Sequence, residues 1–444
     1  MRDDRAGSAS IVRGAVLLAL VLAGSCRPAG PAPGAGRPPA RAPAPQPAPA
    51  PDTAAPAPVS VVPAGGGIVR IGLAVDADSV VVSGTGAPLA FELVAPDGRV
   101  LHRGRADDRL LVVNDGGLRA VPPAGARIDV PELSTVRPAS GGGSVMIDHA
   151  AYRGTVLLRA AAGGGVTAVN MLDLETYLIG VVPREIPPTQ YEAVKAQAVA
   201  ARTYAIGQMG RRSALGFDFY ASVQDQVYGG IAAENDVATR AVAETAGEIL
   251  TYDGEPIDAF YHSTCGGRTA AIEEVWVSDP VPYLRSVSDE KPGGGAWCDA
   301  SSRFRWTQEW TGEQLRAVLE RNLAPRGARG VREVRGIQVE EESRSGRAAF
   351  TRVSVDDTSY LVRGDSIRWV LRTPEDRVLN SSRLYDIRSE LRQGRVNWLA
   401  VDGGGWGHGI GMCQVGAMGR AAAGHSYRDI LAAYYVGTTL TRIH

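Results

Sequence analysis

Residues 27–63 are almost entirely Pro, Ala and Gly, as in Pro38-Pro39-Ala40-Arg41-Ala42-Pro43-Ala44-Pro45, and this stretch sets the first limit on what the chain can fold into. Proline-rich sequence takes extended polyproline geometry and offers few apolar side chains to bury, so the segment reads as a semi-rigid spacer and not as a domain. Any core must come from the residues beyond it. With 444 residues in all, the remainder is long enough for one large core or for roughly two to three smaller ones. Hydrophobic residues make up 44% and charged residues 21%, the balance of a folded protein, while 54 Gly and 28 Pro favour strands, turns and loops over an all-helical fold. Lys and Arg total 47 against 48 Asp and Glu, so the net charge of -1 supplies no field to hold a phosphate backbone, and nucleic acid is not the expected partner.

Ahead of the spacer, Arg2, Arg5 and Arg13 precede a short apolar run at 15–22 and then Ala23-Gly24-Ser25-Cys26. A basic start, a run too short to span a bilayer and small residues after it have the pattern of a signal peptide. The cysteine directly after small residues resembles the lipobox of bacterial lipoproteins, although Ala23 stands where a leucine is usual. The expected outcome is an exported chain anchored to a membrane by lipid on Cys26, with plain secretion as the alternative. Residues 1–26 are then the signal segment and 27–63 the tether that holds a body off the membrane.

From residue 68 short Val-rich and Leu-rich runs are broken by Gly and Asp-Gly, with Asp97-Gly98 a hairpin turn, and these predict a β-rich module over 64–160. Strands are expected at 165–172 and 176–182, with Asp173 and Glu175 in a loop between them. The clearest helix is 191–208, where Val194, Ala198, Ala201 and Ala205 form one stripe and Pro187-Pro188 set its start. A second helix is expected over 234–246 and a closing one over 427–435. Hairpins are expected at 249–261, through Asp253-Gly254, and at 336–355. The class is α+β, strand-rich with a few packed helices. A small β module precedes a mixed catalytic core over 161–444, which carries a β-rich insertion around 330–395.

Glu185 lies in Val181-Val182-Pro183-Arg184-Glu185-Ile186-Pro187-Pro188. Three prolines stiffen this segment, and apolar Val182 and Ile186 can desolvate the carboxyl group. Desolvation raises a carboxylic pKa toward neutrality, as a general acid requires. On position alone Glu185 is equally a solvated loop carboxylate near a helix start.

The wider pattern distinguishes the two. V-V-P-R-E-I-P is followed by A-V-K-A-Q-A-V-A-A-R-T-Y-A, then by Gln226-Val227-Tyr228-Gly229-Gly230 and by Gly247-Glu248-Ile249-Leu250. Asp258-Ala259-Phe260-Tyr261-His262-Ser263-Thr264-Cys265-Gly266-Gly267-Arg268-Thr269 comes next, and Gly405-Trp406-Gly407-His408-Gly409-Ile410-Gly411-Met412-Cys413-Gln414 closes the series. In this order the blocks resemble the stage II sporulation protein D and amidase enhancer family. The resemblance implies a peptidoglycan lytic transglycosylase acting on glycan strands stripped of their stem peptides, with the glutamate of the P-x-E-x-P block, here Glu185, as the single catalytic acid and base. The products would carry 1,6-anhydromuramyl ends, and no cofactor is implied. One branch of the family implies the alternative: a non-catalytic glycan-binding protein that enhances a cell-wall amidase. The expected partners are therefore peptidoglycan glycan strands, a cell-wall amidase and, through the lipid, a membrane at the cell envelope.

Within these blocks Lys195 and Arg202, two turns apart on the helix, are candidates for the cleft wall or are solvated surface charges. Tyr204, Gln226 and Tyr228 offer hydrogen bonds and aromatic faces to sugars, and His262 and Gln414 are further binding candidates. Trp406 and His408 stand among Gly403, Gly404, Gly405, Gly407, Gly409 and Gly411, which serve either a tight packing crossing or a close approach to substrate. With Cys26 lipidated, Cys265, Cys298 and Cys413 remain, and Cys265 with Cys298 is the preferred disulfide. The alternative is a metal held by His262, Cys265, Cys298 and Cys413. Some family members bind zinc through a Cys and His-Cys cluster just before the Q-V-Y block. Residues 220–225 here carry neither Cys nor His, so that family argument for metal does not extend to this chain.

Overall fold

The computed structural model describes residues 67–443 except 87–88, 107 and 140–142. The expected signal segment, Cys26 and the spacer lie outside the described residues. No helix among the described residues is long and apolar enough to cross a membrane.

The first part is a sandwich of two sheets. One runs in the order Phe219–Tyr220, Ile68–Ala77, Val166–Asp173, Thr155–Ala160, Thr135–Pro138, Phe91–Val94, Val100–Gly104. The other is built on Ser79–Gly84 and Leu110–Asn114, flanked by Val145–Ile147 on one side and Leu118–Val121 on the other. Alternation decides which side chains face inward: Val80 and Val82, Leu110 and Val112, Val156 and Leu158 are all 0% exposed and share one core. Gly98, at φ 86°, turns the Phe91–Val94 hairpin back on itself as its Asp-Gly signal requires. The sheet does not stop at residue 160. Val166–Asp173 is one of its central strands, paired antiparallel with both Ile68–Ala77 and Thr155–Ala160.

Beyond that strand the expectation of another strand over 176–182 is overturned: Leu174–Glu185 is a helix, α1. Its β-branched Thr176, Ile179, Val181 and Val182 favour a strand locally. Two stronger influences oppose them. Asp173 caps the helix by accepting from the Thr176 N–H at 2.9 Å. Leu174, Tyr177, Leu178, Val181 and Val182 also recur at helical spacing and are all buried. Next come α2, Tyr191–Gln208, and α3, Asp236–Glu244, both close to expectation. Alanines at 193, 196, 198, 200, 201 and 205 are fully buried, so α2 is enclosed on nearly every side, and α1 packs against it. Glu248–Tyr252 pairs with Glu255–Pro256 through Asp253 and Gly254, both at positive φ, and also with the C-terminal strand Thr439–Arg442.

A third core belongs to an inserted unit that is wider than the expected 330–395. Trp306–Thr311, Leu384–Arg392 and Arg395–Gly403 form one sheet, and Val334–Glu342, Ala348–Val355 and Thr358–Arg363 form another. The helix Gly312–Leu323 closes a core around Trp310, Leu319, Val353 and Leu399. The chain returns from this unit along Thr264 and Trp406, which exchange backbone hydrogen bonds, and through a short parallel pair of Tyr261–His262 with Met412–Cys413. The helices Gln414–Ala422 and Tyr427–Tyr434 follow. The expected α+β class is therefore what the described residues form.

Candidate functional site

Glu185 is the last residue of α1, and Pro183 lies one turn inside the same helix end. A loop crossing the helix fixes where the carboxylate sits. At Gly180 an added Cβ would stand 2.5 Å from the Tyr228 ring, so the missing side chain is what allows that ring to lie against α1. The Gly229 N–H is anchored on the Gly180 carbonyl at 3.1 Å. The loop so held brings the Val227 N–H to Glu185 Oε1 at 3.0 Å.

Around the carboxylate stand amides and phenols. The Tyr177 hydroxyl donates to Gln226 Oε1 at 3.2 Å, and Gln226 Nε2 donates to the Ala201 carbonyl at 3.2 Å and to the Tyr261 hydroxyl at 3.0 Å. Gln414, first residue of its helix, donates to Gln197 Oε1 at 3.2 Å, and its amide favours the ionised form of Glu185. Gln197 is fully buried in α2, and its Nε2 has no hydrogen-bond partner. Burial pushes the Glu185 carboxyl above the usual carboxylate range, against the opposing effects of the Val227 N–H, Gln414 and the Arg184 charge. Burial, reinforced by the Glu185 charge, also pushes the Tyr177 and Tyr261 hydroxyls well above theirs, so both stay protonated. Asp225, the acidic group beside the Gln226 loop, is occupied elsewhere. Arg212 grips it at 2.8 and 2.9 Å, and the Tyr220 N–H donates to it at 2.8 Å. What is assembled is one desolvated carboxyl group among neutral donors, suited to giving and retaking a proton.

The other expected binding residues divide. Gln226 and Gln414 belong to this cluster. Arg202 does not face a cleft: it is 0% exposed, with Nε and Nη2 on the two Glu175 oxygens at 2.8 and 2.7 Å and Nη1 on the Glu248 carbonyl at 3.1 Å. It ties α1 to α2 and to the turn after α3. Lys195 is held by Glu192 at 2.6 Å, with Glu244 at 3.7 Å and the Tyr427 ring beneath it. Tyr228 is a core aromatic whose hydroxyl donates to Asn170 Oδ1 at 3.0 Å, and Tyr204 packs edge-on to Phe260 and Tyr261. His408 accepts the Ile410 N–H on Nδ1 at 3.1 Å and donates from Nε2 to the Tyr261 carbonyl at 3.0 Å, which fixes its tautomer. Burial drops its pKa to about 4, so it is neutral and locks the loop that carries Tyr261. His262, buried beside it, points Nδ1 at the Ile410 carbonyl at 3.1 Å. Trp406 is 46% exposed, with the Arg303 guanidinium over its ring at 4.8 Å. Packing accounts for its glycine neighbours: at Gly411 (φ 68°) the Phe260 carbonyl oxygen is 2.0 Å from where a Cβ would stand.

The three thiols are buried and free, with the Cys265 and Cys298 sulfurs 3.4 Å apart, beyond the roughly 2.05 Å of a disulfide. Cys413 joins them. The fourth group that lies with the three sulfurs is Asp289, not the expected His262.

Residues that sequence reasoning passed over include Tyr177, Gln197, Tyr261 and Asp289. Gln197 carried a readable signal, since it falls on the apolar stripe of α2, three residues after Val194 and four before Ala201. The others depend on contacts distant in sequence.

A family model described as Stage II sporulation protein matches residues 162–252, which include α1, α2 and the Gln226 loop. A second, described as a domain of unknown function, matches 295–411, close to the inserted unit. The Stage II sporulation protein D of Bacillus subtilis is 32% identical over 298 residues, covering 62% of this chain and 76% of that protein. An uncharacterized protein of Brachyspira hyodysenteriae is 32% identical over 274 residues, 61% of this chain and 67% of its own length. The Amidase enhancer of Bacillus subtilis is also 32% identical, over 294 residues, but the chain spans only 40% of its length. With the site-bearing helices inside the matched segment and three quarters of a sporulation protein covered, this chain belongs to the stage II sporulation protein D and amidase enhancer family.

Proposed function

We propose that the protein works at the bacterial cell wall as a lytic transglycosylase that cleaves peptidoglycan glycan strands, most readily those without stem peptides, with Glu185 as the only acid and base. The observation that carries this reading is the setting of Glu185: a carboxyl group pushed up by burial and accepting the Val227 N–H, with Asp225 of that same loop engaged by Arg212. Hydrolases of the two-carboxylate kind need a second acid to hold water or to attack. One acid suffices when the sugar supplies its own nucleophile. Protonated Glu185 gives its proton to the glycosidic oxygen as the bond from that oxygen to the muramyl C1 breaks. The muramyl 6-hydroxyl then bonds to C1, and the proton it sheds returns to Glu185, leaving a 1,6-anhydro end and consuming no water. The exposed ring of Trp406 supplies a stacking face for a sugar. In this reading the chain is exported to the envelope, tethered through Cys26.

Similarity to a protein named Amidase enhancer favours a second reading, in which the chain grips glycan and assists a cell-wall amidase without cutting. The two part in one experiment. Incubating the protein with peptide-free glycan strands and analysing the products by mass spectrometry yields anhydromuramyl ends from the wild type and none from Glu185→Gln. Glycan binding by both forms, with product from neither, overturns the enzymatic reading in favour of the second.

A further inference from the structure

Away from Glu185, three segments distant in sequence bring four side chains to one point. Cys265 follows the Tyr261–His262 strand, Asp289 and Cys298 lie on the loop before the inserted unit, and Cys413 caps the helix Gln414–Ala422. The three sulfurs and a carboxylate oxygen all lie within 4.8 Å of one another, and each of the four residues is 0% exposed. We propose that Cys265, Cys298, Cys413 and Asp289 form a tetrahedral site for a thiolate-preferring divalent cation, with zinc as the natural occupant.

Three features support a metal over a disulfide. The spacing fits: around zinc with bonds of about 2.3 Å, tetrahedral sulfurs stand roughly 3.8 Å apart, and Cys265 and Cys298 are already at 3.4 Å. The carboxylate is oriented like a ligand. Asp289 Oδ2 faces the Cys265 sulfur at 3.3 Å, while Oδ1 accepts from the Tyr434 hydroxyl at 2.7 Å and from Arg420 at 3.3 Å. Outer partners of this kind fix a metal ligand's direction, and the Arg420 charge offsets the excess of anions. Backbone N–H groups also converge on the sulfurs: Cys265 and Gly416 donate to the Cys413 sulfur at 3.2 and 3.3 Å, and Gly267 donates to that of Cys265 at 3.4 Å. These bonds suit thiolates. A Cys265–Cys298 disulfide would use only two of the three thiols that converge here.

The site would also act on its surroundings. Cys413 immediately precedes Gln414, whose amide favours ionised Glu185, and its strand pairs with Tyr261–His262, whose Tyr261 hydroxyl takes the Gln226 bond. A metal there would brace both without touching substrate. The inference does not depend on the catalytic reading.

The test uses the full-length chain purified without chelator. Elemental analysis is expected to find about one zinc per protein, with the three thiols resisting alkylation until the metal is removed. Cobalt(II) exchange should give sulfur-to-cobalt charge-transfer bands and the strong visible absorption of a tetrahedral thiolate site. Cys413→Ser and Asp289→Asn should lose the zinc, and Tyr434→Phe should weaken its retention about tenfold. A metal-free protein with a Cys265–Cys298 disulfide in non-reducing peptide maps overturns the proposal, as does zinc retained in full by Cys413→Ser. Should that variant fail to fold, the cobalt spectrum of the unsubstituted protein decides, and absence of the thiolate bands overturns it.

Discussion

Two polar clusters sit on opposite ends of α1 in the same core, and they are built in opposite ways. At the N-terminal end Arg202 is saturated: both Glu175 oxygens, the Glu248 and Val242 carbonyls and the Thr245 hydroxyl surround its guanidinium. At the C-terminal end Glu185 accepts one backbone N–H, and Gln414, whose amide favours its ionised form, donates to Gln197, which keeps an unpaired Nε2 in the interior. Unsatisfied buried polar groups cost stability, so folds tolerate them where function repays the cost. Saturation marks a structural joint and incompleteness marks a site, although both clusters involve one charged residue on or beside the same two helices.

The contrast is broken most sharply at its two centres. Glu185→Gln keeps the shape and the Val227 contact but removes the proton, so cleavage of peptide-free glycan should fall by roughly 10³-fold or more with thermal stability nearly unchanged. Arg202→Met should do the reverse. Loss of the guanidinium strands the Val242 and Glu248 carbonyls, while Glu175, 36% exposed, recovers part of its solvation. A cost of about 2–4 kcal/mol follows, read as a lowered denaturation midpoint, with turnover per folded molecule within about twofold of wild type. An Arg202→Met protein that folds normally but cannot cut would reverse the assignment of the two clusters.

A milder change separates stability from activity within the site itself. Gln197→Leu removes the unpaired Nε2 and fills its volume with carbon. Stability should therefore hold or rise by up to about 1 kcal/mol, while activity drops several-fold as Gln414 loses its anchor. If melting falls steeply as well, Gln197 is a packing residue and the incompleteness of the Glu185 cluster has been misjudged.

How much of this was legible without coordinates follows the reach of each interaction. The Asp97-Gly98 turn and the 191–208 helix depend on neighbours in sequence and were readable there. Residues 176–182 were not, because their β-branched composition argues for a strand while burial on two faces and the Asp173 cap hold a helix. Glu185 was legible as a candidate through its proline-bracketed block and apolar neighbours, yet the loop some forty residues on that brings the Val227 N–H to its carboxylate was not. Arg202 shows the converse. A charge seven residues from Lys195 reads as a cleft wall until its partners appear, and these come from two distant segments, Glu175 on α1 and Thr245 with Glu248 in the turn after α3.

The smallest expected effect is the most specific to the site. The Gln414 amide favours ionised Glu185 and so lowers its pKa. Gln414→Leu removes that stabilisation, so the Glu185 pKa should move further above the ordinary carboxylate value. Because Glu185 must be protonated to release the leaving sugar, the alkaline limb of the turnover profile should shift to higher pH. At the acidic plateau, where Glu185 is already protonated, turnover should change little. A profile that keeps its alkaline limb but falls uniformly would mean that Gln414 positions substrate and does not tune the acid, and the saturation contrast would then rest on Gln197 alone.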